Sequence, residues 1–185
     1  MYVNPTVQDL LADALLVRLQ EESSLRVSID SLCADCYIHR STFYYHFGGV
    51  EDLLQYLFER DLVAAFEGNL LGEGMAAAMG RTFAYLDAHA GAMQHVIGNM
   101  TYATAKERFS GSVREMFRRV LSALRPDATE AYMTYHASLF TGLLTDLFWT
   151  CLTGRNTLSP EELTRFVAAT YEALLPKGRQ PADGV

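Results

Sequence analysis

SIDSLCADCYIHRSTFYYHFGGVEDLL, Ser28 to Leu54, contains two short helical patterns, a tight turn between them and the opening of a third helix. Ser28 is a capping residue ahead of Ile29, Leu32, Cys33 and Cys36, which share one face at helical spacing. Arg40 to Phe47 repeats the pattern, with Phe43 and Phe47 four residues apart on the buried side. Gly48-Gly49 end that helix, and Glu51-Asp52 put negative charge in the first turn of the next, where the helix dipole favours it. Two short helices across a tight turn form a helix-turn-helix, whose second helix enters the DNA major groove.

Charge stands against that reading. The first 60 residues hold four arginines, no lysine and nine carboxylates, and the whole chain has a formal charge of -7. Such a balance opposes broad affinity for nucleic acid or a membrane surface, but not a small local DNA-contacting face. With only Lys106 and Lys177 in the chain, arginine must supply the cationic phosphate contacts. Hydroxyls and the N-terminal amides of the second and fourth helices can bind phosphate without a cationic side chain. If Phe43 and Phe47 anchor the short helix, its outer face presents Arg40, Ser41, Tyr44 and Tyr45. Arg40 is the candidate for a bidentate contact to guanine.

The stretch resembles the DNA-binding region of the tetracycline-repressor (TetR) family. The match rests on Ile29, Leu32 and Ile38, then Thr42, Phe43, Tyr44, His46 and Phe47, and finally Glu51, Leu53 and Leu54. The resemblance implies an all-α homodimeric transcriptional regulator, by family default a repressor, released from operator DNA by a small-molecule effector. It implies contacts to or near backbone phosphates at Thr42, Tyr44 and His46, and base-edge contacts from Arg40, Ser41 and Tyr45; Ser28, which can bind phosphate as a hydroxyl, and His39 complete the DNA-binding candidates. Three positions depart from the family pattern. Tyr37 stands where a turn glycine is usual and must adopt a left-handed conformation. His39 replaces a small polar residue, and Val50 replaces a phosphate-holding lysine. The basic N-terminal arm of many relatives is also missing. These losses weaken phosphate binding, and they favour an alternative: an adaptor or co-activator of the same fold, acting on a protein partner. The run from Tyr37 to Phe47 is similar to the branch that co-activates dihydroxyacetone-kinase operons.

Apolar residues recur at helical spacing along the remaining chain, which predicts an all-α protein of about nine helices. Asn4-Pro5 reads as a helix start, and Leu10, Leu11, Ala14, Leu15 and Leu19 as the face of a first helix. A connecting helix runs from 49 to about 68, with a joint at Gly72 and Gly74. Further helices are expected near 75–89, 92–99 and 104–124. Asp127 to Glu130 resembles a capping box opening an apolar helix to about Leu152, and Ser159-Pro160-Glu161-Glu162 caps the last one. Residues 1–48 are then a DNA-binding head, 49–178 a ligand-binding and dimerisation domain, and 179–185 a flexible tail.

Pocket candidates are Phe83, Met93, Met100, Tyr102, Phe117, Tyr135, His136, Phe140 and Trp149, since small-molecule sites are mostly apolar with a few polar groups. The penultimate helix is apolar on more than one face, which fits burial on several sides, and Ala137 and Gly142 would permit close backbone approach. With the last helix it supplies the expected dimer interface: Leu139, Leu143, Leu147, Leu163, Phe166, Val167, Thr170 and Tyr171. Lys106, Arg108, Arg114, Arg118, Arg119 and Arg125 make residues 104–125 basic, a potential anion-attracting face or a solvated one.

Other chemistry finds no support. Cys33-Ala-Asp-Cys36 has the spacing of a zinc half-site or redox pair, but no second such pair follows, and both thiols fall on an apolar face. No phosphate-binding loop, nucleophile elbow or zinc-protease motif is present, so neither enzymatic activity nor a cofactor or metal is expected. An odd cysteine count fits a reducing compartment. The N-terminus lacks a signal-peptide pattern and no apolar run reaches spanning length, so the expected location is cytoplasmic without membrane contact.

Overall fold

The computed structural model describes residues 5–21, 27–98 and 100–175, and all regular structure within them is helical. Nine helices follow one another among these residues: α1 (Val7–Glu21), α2 (Ile29–Asp35), α3 (Arg40–His46), α4, α5 (Met75–Ala88), α6 (Ala90–Gly98), α7 (Tyr102–Leu124), α8 (Glu130–Leu152) and α9 (Pro160–Leu174). The continuous α4 has an α-helical first part (Val50–Phe58), a π-helical turn (Glu59–Val63) and an α-helical second part (Ala64–Glu73).

Local chemistry accounts for the ends. Thr6 N–H donates to Asp9 Oδ2 at 3.0 Å and Asp9 N–H donates to Thr6 Oγ1 at 3.1 Å, a reciprocal pair that starts α1. The expected cap residue Asn4 lies outside the described residues, as does the tail from 176. Ser28 caps α2 by accepting from Ser31 N–H at 3.1 Å. Asp127 does not cap α8. Its carboxylate pairs with Arg125 at 3.2 Å, and Thr129 caps the helix by accepting from Tyr132 N–H. Ser159 and Glu162 complete the expected capping box on α9. The connecting helix outruns its expected end at Gly68 and stops at Gly74, which has a φ of 92°. Burial of Phe66 and Leu70 carries it past Gly68.

Two hydrophobic clusters organise the chain. One joins Leu11, Leu15 and Leu19 of α1, Leu32 of α2, Phe43 and Phe47 of α3, Leu53 and Leu57 of α4, and Ala92 and Val96 of α6. The other joins Val63, Phe66 and Leu70 of α4 to Met79 of α5, Phe117 and Leu121 of α7, Phe140 and Leu144 of α8, and Val167 of α9. The two parts of α4 therefore serve different cores, and the π-helical turn lies between them. Such single turns are rare within α-helices.

Candidate nucleic-acid interface and internal cavity

α2 ends in a Schellman motif. Tyr37 N–H donates to the Ala34 carbonyl at 3.2 Å and Ile38 N–H to the Cys33 carbonyl at 3.0 Å, which places Tyr37 in the left-handed position usually given to glycine. Its φ is 55°, as its place in the turn requires. The turn delivers His39, the N-cap of α3, whose side chain makes no capping bond.

Phe43 is fully buried and Phe47 nearly so, and this pair turns the other side of α3 outward. Ser28, His39, Arg40, Ser41, Tyr44 and Tyr45 are exposed, and Thr42 and His46 are half-buried. None of the eight predicted contact residues is buried. Tyr45 is 84% exposed with its ring edge against His46 at 4.9 Å. The face has little free positive charge. Arg40 Nη1 donates to both Asp30 carboxylate oxygens, at 2.7 and 2.9 Å, and Nη2 to the Tyr44 hydroxyl at 3.1 Å. Just ahead of α4, Gly48 N–H donates to Asp52 Oδ2 at 3.0 Å, which puts a carboxylate of the chain beside the start of that helix.

Below the head lies a cavity of about 160 Å³. Its walls come from five helices: Leu54, Leu57, Phe58, Leu62, Val63 and Phe66 of α4, Thr82, Tyr85 and Leu86 of α5, Met93, Val96 and Ile97 of α6, Ala105, Phe109, Val113 and Met116 of α7, and Leu144, Thr145, Phe148, Trp149 and Leu152 of α8. Met100 and Tyr102 close it between α6 and α7. Four predicted pocket residues, Met93, Met100, Tyr102 and Trp149, lie in this wall. Five do not. Phe117 and Phe140 are fully buried against each other at 5.4 Å, and Phe83 packs on Phe148 from outside the lining. Tyr135 is exposed, and His136 stacks on Tyr132 at 3.8 Å. The stripe Tyr102, Ala105, Phe109, Val113 and Met116 runs along one face of α7, a periodicity legible in the sequence that marks the wall better than aromatic content does.

A polar path joins cavity to head. The Tyr85 ring is part of the wall, and its hydroxyl donates to Asp61 Oδ2 at 2.9 Å. Asp61 pairs with Arg60 at 2.5 Å, both within the π-helical turn, and Arg60 reaches Asp13 at 2.7 Å and the Asp9 carbonyl at 3.2 Å on α1. Hydrogen bonding to Asp61 raises the Arg60 pKa further, and burial followed by the Asp61 bond pushes the Tyr85 hydroxyl well above its ordinary value. Tyr85 therefore stays a neutral donor and Arg60 a cation. Tyr56 adds a second tie, its hydroxyl donating to Asp9 Oδ1 at 2.9 Å.

Of the predicted interface residues, Leu147, Leu163, Val167 and Tyr171 are buried in the chain's own core, while Leu139 and Phe166 are exposed and Leu143 and Thr170 half-buried. A shallow surface groove between α8 and α9 is lined by Leu139, Leu143, Leu147, Leu163 and Phe166, with exposed Leu158 on its rim. Ala137 is buried, but a Cβ at Gly142, in that groove, would meet nothing within 4 Å. The basic stretch on α7 is largely neutralised. Arg108 pairs with Glu51, Arg118 with Glu130, Arg119 with Glu67 and Arg125 with Asp127. Lys106 lies over the Tyr102 ring. Cys33 is buried and Cys36 half-buried, and burial raises both thiols above their ordinary value, away from the thiolate a metal or redox site needs. No helix among the described residues is long and apolar enough to cross a membrane.

The arrangement of a three-helix head, a connecting helix and a helical core is the fold of TetR-family transcriptional regulators. AlkX, a TetR family repressor from Dietzia sp. implicated in biodegradation of n-alkanes, matches with a TM-score of 0.67 at 14% identity, over 91% of this chain and 95% of that one. A TetR transcriptional regulator from Rhodococcus sp. RHA1 matches with a TM-score of 0.64 at 16% identity, over 90% and 93%. The dihydroxyacetone kinase operon activator DhaS matches with a TM-score of 0.61 at 18% identity, over 90% and 94%. No family sequence model and no curated protein sequence matches the chain. The likeness is one of fold.

Proposed function

We propose that the chain is a TetR-like transcriptional regulator that binds operator DNA as a homodimer and is released by a small-molecule effector, the repressor arrangement. The observation that carries this reading is the pinning of α3 by Phe43 and Phe47, which leaves Arg40, Ser41, Tyr44 and Tyr45 accessible together. Leu139 and Phe166 at the α8–α9 groove support pairing with a second copy. Two heads about 34–36 Å apart would enter successive major grooves. An effector in the cavity acts by linkage: it lowers DNA affinity by its preference for a state in which the heads stand differently. The path from Tyr85 through Asp61 and Arg60 to α1 is the proposed connection.

The test is selection of bound duplexes from a randomised library, followed by gel shift of the selected sequence at low and moderate salt. A defined sequence should emerge, and Arg40→Ala should erase the preference for it. Val50→Lys should tighten binding to all sequences and steepen the salt dependence by about 0.9 in log–log slope. Failure to select any sequence would remove the reading.

A second reading is an adaptor that uses the same face on a protein. The Arg40–Asp30 pair favours it, because a guanidinium already satisfied by a carboxylate offers little to a phosphate. Capture of a specific protein together with no DNA shift at any salt would select it.

A further inference from the structure

We infer that the cavity takes a small uncharged, hydrocarbon-like molecule the size of one six-membered ring with small substituents, and rejects ions of the same shape. This rests on the effector reading and gives that site its ligand class. Size comes first. An apolar cavity of about 150 Å³ suffices to bind benzene, and this one measures about 160 Å³. That is well below the roughly 300–1,000 Å³ of drug-sized sites. A fused bicycle or a long chain would have to displace the walls. Met93, Met100 and Met116 allow some adjustment there, since unbranched thioether side chains repack at small cost.

Chemistry comes second. Among the described residues, no Asp, Glu, His, Lys or Arg lines the cavity. Two of its five polar side chains are already engaged: Thr82 Oγ1 donates to the Ala78 carbonyl at 2.9 Å and the Tyr85 hydroxyl to Asp61. Tyr102 and Thr145 add one hydroxyl each and Trp149 an indole N–H, all of them uncharged. A carboxylate or ammonium entering the cavity would leave water for a wall with no counter-charge, which outweighs the gain from burying its carbon atoms. A neutral ring loses nothing of that kind and meets Phe109, Phe148, Tyr85 and Trp149.

The chain carries its own reporter, because Trp149 is its single tryptophan and lies in the wall. Titration of the full-length protein with toluene should change Trp149 emission saturably and raise the melting temperature. Benzoate and benzylammonium, of matching shape, should need at least a hundredfold higher concentration. Val113→Phe, which fills the space with a ring, should weaken the toluene response at least tenfold while the protein stays helical. The inference is overturned if either ion binds as tightly as toluene, if toluene leaves the emission unchanged, or if Val113→Phe responds like the parent protein. DNA release is read separately. Saturable toluene binding without release would leave the ligand class standing and remove effector control. Release by an ion alone would remove the ligand class and keep effector control.

Discussion

Arg40 Nη1 bridges both carboxylate oxygens of Asp30, at 2.7 and 2.9 Å, so the residue proposed to read a base is held by a neighbour one helix away. Both side chains are more than half exposed, so the pair contributes little to stability. Its effect falls on recognition, because the guanidinium must leave Asp30 before it can grip a guanine edge. Asp30→Asn removes the competing charge. Fluorescence anisotropy should show tighter binding to the selected duplex by roughly 5- to 20-fold, a fraction of the 1–3 kcal/mol that a bidentate base contact supplies. The melting temperature should move little. Unchanged or weaker binding would mean that Asp30 orients Arg40 for the duplex.

Tyr37 is 97% exposed at a φ of 55°, so its ring returns no burial for a strained backbone. A left-handed conformation costs an L-residue about 1–2 kcal/mol, of which the greater unfolded freedom of glycine gives back part. Tyr37→Gly should therefore stabilise the protein by about 0.5–1 kcal/mol in urea unfolding, with no change in the urea dependence. A loss of DNA or partner binding in this more stable variant would show that the exposed ring is a contact.

The cap at the start of α1 makes stability depend on acid. Hydrogen bonds from the Thr6 hydroxyl, the Thr6 amide and the Tyr56 hydroxyl hold the Asp9 carboxyl at about 2, below its ordinary 3.8. A depressed carboxyl stabilises the fold above its unfolded value and loses that contribution as pH falls through its folded value. Asp9 should thus add stability above pH 4 and lose it between about pH 4 and pH 2. Asp9→Asn should cost about 1 kcal/mol at neutral pH, the worth of a helix cap, and flatten the unfolding curve across that window. An equally steep acid transition in the variant would assign it to other carboxylates.

Tyr85 has a ring in the cavity wall and a hydroxyl on Asp61. Tyr85→Phe keeps the wall and cuts the link to the π-helical turn. The toluene titration of Trp149 should shift by less than about threefold, and stability should fall by about 1 kcal/mol, the net worth of one hydrogen bond. Release of DNA by toluene should be blunted. Full release in the variant would place the coupling on another path.

The two short helices and the turn between Ser28 and Phe47 were legible in the sequence because their determinants are local. Phe43 and Phe47 sit one helical turn apart, Ser28 directly precedes its helix, and the conformation of Tyr37 follows from its place in the turn. The neutralisation of Arg40 was not legible, because Asp30 is ten residues away and the pairing depends on how α2 crosses α3. The cavity divides in the same way. Met93, Met100, Tyr102 and Trp149 lie in its wall, but residue type does not say which buried aromatics line a space and which fill one. Phe117 and Phe140 face each other in the core, while Tyr85 and Phe109 line the cavity. Five helices had to meet before that distinction existed. The π-helical turn left no sequence signal at all.

That turn winds one surplus residue into α4. Excising a single residue from Glu59–Val63 would let the rod close as a regular α-helix, with Leu53 and Leu57 still towards α1 and Phe66 and Leu70 still in the second core, because the widened turn takes up its surplus residue without rotating the flanks. What such a one-codon deletion would erase is local: the placement of Arg60 against Asp13 and of Asp61 against Tyr85, while the exposed side of α3 stayed untouched.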